Sequence, residues 1–223
     1  MNRQQGFSLL EMAVVLVIVG VLLGGLLGSL SGLQGRQREA QTERQLDEIR
    51  EALVTFAALN RRLPCPANPA TSATTLGAGV ERVPTAGGCT GGNAGVLPWA
   101  TLGLAQTDAW GRRFSYRVTA SFARSGAAIT LASTGDNTVR NLAGVDLATQ
   151  LPAVVVSHGP NARSGHGPAG TTGAASTDPA ELENANADTV FVDDTPTAGF
   201  DDLTRWVPLS LLMSRMLQAG ALP

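Results

Sequence analysis

Apolar residues are distributed along this chain in two distinct ways. Between Phe7 and Leu33 they are nearly continuous: Glu11 is the single charge, and no charged residue stands between Met12 and Gly35. At 1.5 Å per residue such a stretch makes a helix of about 40 Å, longer than the roughly 30 Å hydrocarbon core of a bilayer. The pattern predicts a membrane-spanning helix over residues 7–35. From Arg36 the pattern changes. Arg36 to Gln45 is polar, and then Leu46, Ile49, Leu53 and Phe56 recur at steps of three and four, the spacing of an amphipathic helix. Residues 36–62 are expected to continue the same helix, about 80 Å in all, with this stripe packed on a sheet. Arg44 and Glu48 stand four apart, placed to pair across one turn. Leu63-Pro64-Cys65-Pro66 ends the helix.

Beyond residue 63 the periodicity shortens. Residues 64–98 are rich in Pro, Gly, Thr and Ser and read as a loop without regular structure, followed by an apolar knot from Val96 to Leu104. Phe114, Tyr116 and Val118 alternate on one face of a strand, after a turn containing Asp108 and Gly111. Trp110 in that turn is expected to plug the core. Ala127–Ser133 is expected to be a second strand. Ala153–His158 is β-branched through its centre and predicts a fully buried strand. Residues 162–187 read as a long polar surface loop with His166 in solvent. Asp188–Asp194 and Phe200–Val207 read as two more strands, and Pro208–Ala219 as an amphipathic helix stopped by Gly220. The predicted architecture is α+β: a long N-terminal helix on a four- to five-stranded antiparallel sheet, with a short C-terminal helix.

Composition narrows the chemistry. The net charge is −2, which gives no electrostatic case for nucleic acid as the main partner. All 16 basic residues are Arg, so chemistry that depends on Lys is excluded, including a Walker A phosphate loop and a Schiff base. The two cysteines, Cys65 and Cys89, lie in the part expected outside the cytoplasm, where a disulfide is the default. Closing that loop stabilises the fold by about 3 kcal/mol in the chain-entropy model. The alternative is a pair of free thiols. Two Cys without a nearby His do not fill a zinc shell.

Glu11 needs a reason. A carboxylate deep in lipid costs on the order of 3 kcal/mol, and a simple anchor would do better with Leu there. A cut after Gly6 would give Phe7 a positive α-amino group, four residues from Glu11 on the same helical face. The amine of one copy then meets the carboxylate of a neighbouring copy. The run Gly6-Phe7-Ser8-Leu9-Leu10-Glu11, followed by Met12-Ala13-Val14-Val15-Leu16-Val17-Ile18, resembles the type IV pilin and type II secretion pseudopilin family. The resemblance implies cleavage between Gly6 and Phe7 by a prepilin peptidase, N-methylation of Phe7, and Glu11 guiding assembly into a helical filament. Two further blocks are similar to these proteins: Asp108-Ala109-Trp110-Gly111 with Tyr116, and the Ser157-His158-Gly159-Pro160-Asn161 turn. The alternatives for the N-terminus are a secretory signal peptide cut near Ser29 or Ser31, and a plain anchor.

The expected organisation is a leader over 1–6, a membrane or filament-core helix over 7–35, its amphipathic half over 36–62 and a globular extracytoplasmic domain over 63–223. Arg3 before the apolar run places the leader in the cytoplasm. The protein is then single-pass in a bacterial inner membrane with its domain in the periplasm, and later in a filament or pilus. The expected partners are other pilin-like subunits, the prepilin peptidase, an inner-membrane assembly platform and the membrane itself. Gly20, Gly24, Gly25, Gly28 and Gly32 allow close helix contacts in lipid and make local unwinding cheap in a filament core.

No catalytic residue, cofactor or metal is expected. Ser157 and His158 are adjacent on a strand and point to opposite faces, so they do not form a nucleophile–base pair. Asp193, Asp194, Asp201 and Asp202 flank a Pro/Gly turn. They are read as a solvated acidic turn, with oxygen ligation of a hard cation such as calcium as the alternative, one known from some pseudopilins. A binding module that reuses the anchor, an adhesin or a DNA-uptake subunit, is a further alternative, and the Arg112, Arg113 and Arg117 cluster keeps DNA open. A membrane-anchored hydrolase is the competing class. The type IV pilus, the type II secretion system and a DNA-uptake apparatus all stay open.

Overall fold

The computed structural model describes residues 8–197 and 199–222, with residues 22–31 by their backbone alone. One compact unit ends at Ala40 and a second begins at Gln41. Helix α1 runs unbroken from Leu9 to Asn60. Within the first unit its described apolar side chains are exposed all round, among them Leu9, Leu10, Val14, Leu16 and Ile18. Among the described residues no helix is long and apolar enough to cross a membrane. Those described side chains run to Val21, about 20 Å along the helix from Ser8, and resume with Leu33.

In the second unit α1 becomes amphipathic, as its spacing predicts. Leu46, Ile49 and Leu53 are buried, and Ala57 continues the stripe. Phe56 turns toward the rim, where the Arg62 guanidinium stacks on its ring at 5.3 Å. No Arg44–Glu48 ion pair forms among the described residues. Asp47 pairs instead with Arg205 at 3.1 Å and Arg50 at 3.2 Å, because the sheet brings Arg205 to that face.

The stripe packs on a four-stranded antiparallel sheet. Its strands are β3 (Ala94–Val96), β4 (Ser115–Val118), β7 (Ala153–Ser157) and β9 (Leu203–Val207), in the order β3-β4-β7-β9. Phe114, Tyr116 and Val118 point to α1, together with Val155 and Val207. Helix α5 (Leu209–Gln218) covers the same face with Leu212 and Met216. Leu217, on the same helix, is exposed. Each fully buried large side chain here contributes roughly 1.5–3 kcal/mol.

The opposite face of β7 is covered too. Val154 and Val156 pack with Val139, Leu151 and Phe191 in a second core. These come from β5 (Asn137–Arg140), β6 (Asp146–Leu151) and β8 (Val190–Val192), a three-stranded sheet ordered β6-β5-β8 in which β5 and β8 run parallel. A strand sandwiched on both sides has no solvated face, which is why β7 is apolar without alternation. The sequence reading of one antiparallel sheet is therefore incomplete, since a second, mixed sheet stands beside it.

Three local expectations need correction. Ala127–Ser133 forms no strand. Ile129 alone is driven into the main core, and Thr130–Ser133 closes a turn that leaves Leu131 exposed. The 64–98 segment carries a two-stranded ribbon, β1 (Pro84–Thr85) with β2 (Gly88–Cys89), before β3. It is fixed by the Cys65–Cys89 disulfide, by Arg62 on Glu81 at 2.7 and 2.8 Å, and by Arg82 on the carbonyls of Pro66 and Gly91. The 162–187 segment holds helix α4 (Pro179–Ala185), capped by the Asp178 carboxylate on the amides of Ala180 and Glu181. Short helices α2 (Trp99–Leu102) and α3 (Ala120–Ala123) flank β4.

Candidate functional site

At the start of α1 the described residues begin with Ser8. Its Oγ accepts the Glu11 amide at 3.2 Å, the N-cap bond that a Ser three residues before Glu provides. Glu11 stands in the first turn with its side chain exposed. Unpaired amides give that end of a helix about half a positive charge, which favours a carboxylate there. Glu11 thus has a local role within its own helix, which the spacing argument overlooked although the Ser8-x-x-Glu11 pattern signals it. Gly6 and Phe7, the expected cleavage and methylation positions, lie outside the described residues, as does the leader. Gly20 and Gly32 face open space along α1.

The Asp108 turn is a bracket rather than a core plug. Asp108 Oδ1 accepts the amides of Trp110 and Arg112, both at 2.9 Å, and its Oδ2 accepts the Ser157 hydroxyl at 2.6 Å. Gly111, at φ +80°, completes the turn. Trp110 is half-exposed; the buried indole is Trp99, on which the Arg113 guanidinium stacks at 4.7 Å. Arg113 is itself buried and donates to the carbonyls of Pro69, Thr71 and Pro168. Arg117 pairs with Asp136 at 2.9 Å. The Arg112/Arg113/Arg117 run is therefore no surface patch, because strand alternation and these partners separate its members.

The acidic residues divide differently from their sequence grouping. Asp201 and Asp202 join Glu181 of α4, each bringing an oxygen within 4.8 Å of the others. Asp202 is buried, not solvated. Glu181 accepts from Asn161 Nδ2 at 2.7 Å, from the Asp201 amide at 3.2 Å and from the Ser176 hydroxyl at 2.5 Å. Asp202 Oδ2 accepts from Asn184 Nδ2 at 2.9 Å. Neutral donors thus occupy most of the oxygens a hard cation would need. Burial, with the charges of Glu181 and Asp202 close by, pushes the Asp201 carboxyl up to about 6 against the pull of the Asn161 amide. Asp194 stands apart, accepting the Leu142 amide at 3.0 Å. Burial raises the Asp193 carboxyl above its usual range.

The turn after β7 is held tightly. A side chain at Gly159, φ +53°, would meet the Asp201 carbonyl at 2.2 Å. His158, buried, shares a hydrogen bond of 2.8 Å with Ser115, not with Ser157. His166 is half-buried rather than solvated. Backbone bridges to Arg113 and Thr172 hold it, and burial, with His158 and Arg113 nearby, lowers its pKa.

Among known proteins, a family model described as the prokaryotic N-terminal methylation motif matches residues 1–27. No curated protein and no solved structure matches the chain. The matched segment holds Gly6, Phe7 and Glu11 together with the first turns of α1. Residues 1–27 carry the prepilin-type signal of type IV pilins and pseudopilins.

Proposed function

We propose that this chain is a pilin-like structural subunit, a minor pilin or pseudopilin of a type IV pilus or type II secretion filament. Prepilin peptidase cuts it between Gly6 and Phe7, and the new Phe7 amine is methylated. The N-terminal helix holds the protein in the inner membrane until an assembly platform draws it into a filament. The observation that carries this reading is the all-round exposure of the described apolar side chains between Leu9 and Val21, a stretch in which Glu11 is the single charge. An isolated soluble helix would not leave that surface in water; a bilayer or a bundle of sister helices removes it from water. The prepilin-type signal supports the same reading. The peptidase and methyltransferase supply the processing chemistry, and this chain catalyses none of it. The long segments at 64–98 and 162–187 favour a minor component.

The intersubunit pair is separable from the local cap. Glu11→Gln keeps a polar side chain in the first turn but removes the charge that would meet the Phe7 amine of a neighbour. The expected outcome is normal processing, seen as a mature mass beginning at methylated Phe7, with incorporation into filaments reduced about tenfold or more. Incorporation of Glu11→Gln at the parental level would defeat the pairing. A native N-terminus at Met1, or near Ser29, would defeat the subunit reading as a whole.

A further inference from the structure

We propose that Ser115, His158 and Asp202 form a hydrolytic centre in the globular unit that cleaves small esters. This rests on the side chains alone and does not depend on the pilin-like reading. Ser115 lies on the face of β4 turned away from the main core, since Phe114, Tyr116 and Val118 take the core face. Its Oγ is 2.8 Å from His158 Nε2. The other ring nitrogen, Nδ1, faces Asp202 Oδ1 at 3.6 Å.

Among the described residues neither Nδ1 nor that carboxylate oxygen has any hydrogen-bond partner, and both side chains are 1% exposed. A buried polar group left unpaired is costly, so a small ring rotation that joins them is favourable. Apo catalytic contacts are commonly this loose. Asn184 fixes Asp202 from behind: its Nδ2 donates to Asp202 Oδ2, and its amide also bonds both ways to the Val192 backbone. With the proton on Nδ1 held toward Asp202, Nε2 carries the lone pair and accepts the Ser115 proton. Nucleophile, base and orienting carboxylate then stand in the required order.

Ser115 opens on a cavity of about 170 Å³, also lined by Gly95, Ser164, His166, Asn184 and Ala187. That volume suits a short acyl group. In the reaction Ser115 Oγ bonds the ester carbonyl carbon as its proton passes to Nε2. The C–O bond to the alcohol breaks, and the alcohol leaves with that proton. Water then adds to the acyl-serine, giving its proton to Nε2. The carboxylic acid departs, and Ser115 regains the proton. One ester and one water become one acid and one alcohol, with no redox change.

The test treats the folded full chain with a fluorophosphonate probe and with p-nitrophenyl acetate, locating adducts by peptide mass. A single adduct on Ser115 is expected, absent from Ser115→Ala. Asp202→Asn is expected to slow labelling about 100-fold or more while it still unfolds cooperatively, and Asp202→Glu, which restores a carboxylate, to recover part of that rate. Asp201→Asn, next in the chain but not facing His158, is expected to label like the parent. Cooperative unfolding of each variant establishes that it is folded. No adduct on the folded parent, an adduct elsewhere, or equal rates in Asp202→Asn and the parent would show a purely structural network and overturn the proposal.

Discussion

A carboxyl with a raised pKa makes an unusual contribution to stability. Asp201 titrates at about 6 in the fold, against 3.8 for an ordinary Asp side chain. Between those values the folded state binds more protons than the unfolded chain, so this group's stabilisation is full below about pH 4 and is lost as pH rises through 6. Asp201→Asn removes the titration and keeps an oxygen for the Asn161 amide. It is expected to raise stability at pH 7 by on the order of 1 kcal/mol, after allowing for the partial solvent exposure of the group. It should leave stability near pH 4 unchanged, so urea unfolding of both proteins across that range measures the difference. A variant no more stable than the parent at pH 7 would show that Asp201 is not held at a cost. At this scale the sequence carried only part of the site. Adjacency of Ser157 and His158 was visible, as was the alternation that separates them. Their true partners, Asp108 and Ser115, are 49 and 43 positions away and come close only through the strand order. Glu181 was hidden for the same reason, since α4 lies in a segment whose composition reads as loop.

Helix α1 shows how much one apolar stripe carries. Leu53 is fully buried against the β4–β7 face, while Leu59, six residues on, is 78% exposed. Leu53→Ala is expected to destabilise by about 3 kcal/mol through lost burial and the cavity left behind. Leu59→Ala is expected to stay within about 0.5 kcal/mol, and chemical denaturation of the two variants reads the contrast. Equal losses would mean that α1 is not docked through the predicted face. This element, β4, β7, β9 and α5 were legible because each carries its own period or an unbroken β-branched run. The second sheet was legible only in β8, which falls within the expected Asp188–Asp194 strand. β5 reads Asn-Thr-Val-Arg, with a single large apolar residue, and β6 is largely exposed; their pairing is set by the Asn141–Gly144 turn and by Val139 meeting β7. Ala127–Ser133 misled in the opposite direction. Its apolar letters resemble a strand, but only Ile129 finds the core, and Leu131 is left exposed.

The globular unit, taken by itself, begins at Gln41. Its cores begin at Leu46, and the side chains described before Gln41 are exposed apart from a half-exposed Glu39. The first residues that matter to it are polar: Thr42 Oγ1 accepts the Ala109 amide at 3.3 Å, and Gln45 Nε2 donates to the Thr107 carbonyl at 3.2 Å. Both bonds hold the approach to the Asp108 bracket, which in turn fixes Ser157 at the end of β7. A chain beginning at Gln41 keeps these bonds, both cores and the disulfide. It is expected to fold cooperatively, with circular dichroism of mixed helix and sheet, and to remain a soluble monomer, because the exposed apolar run has been removed. A chain beginning at Leu53 loses Leu46 and Ile49 from the main core. Two such residues are worth roughly 3–6 kcal/mol of burial, against a typical domain stability of about 5–15 kcal/mol, so it is expected to be largely unfolded or aggregated. Sedimentation and thermal unfolding of the two chains distinguish these cases. Were the Gln41 chain non-cooperative, the apolar half would have to support the domain as well as its assembly, and the division of labour along α1 would not hold.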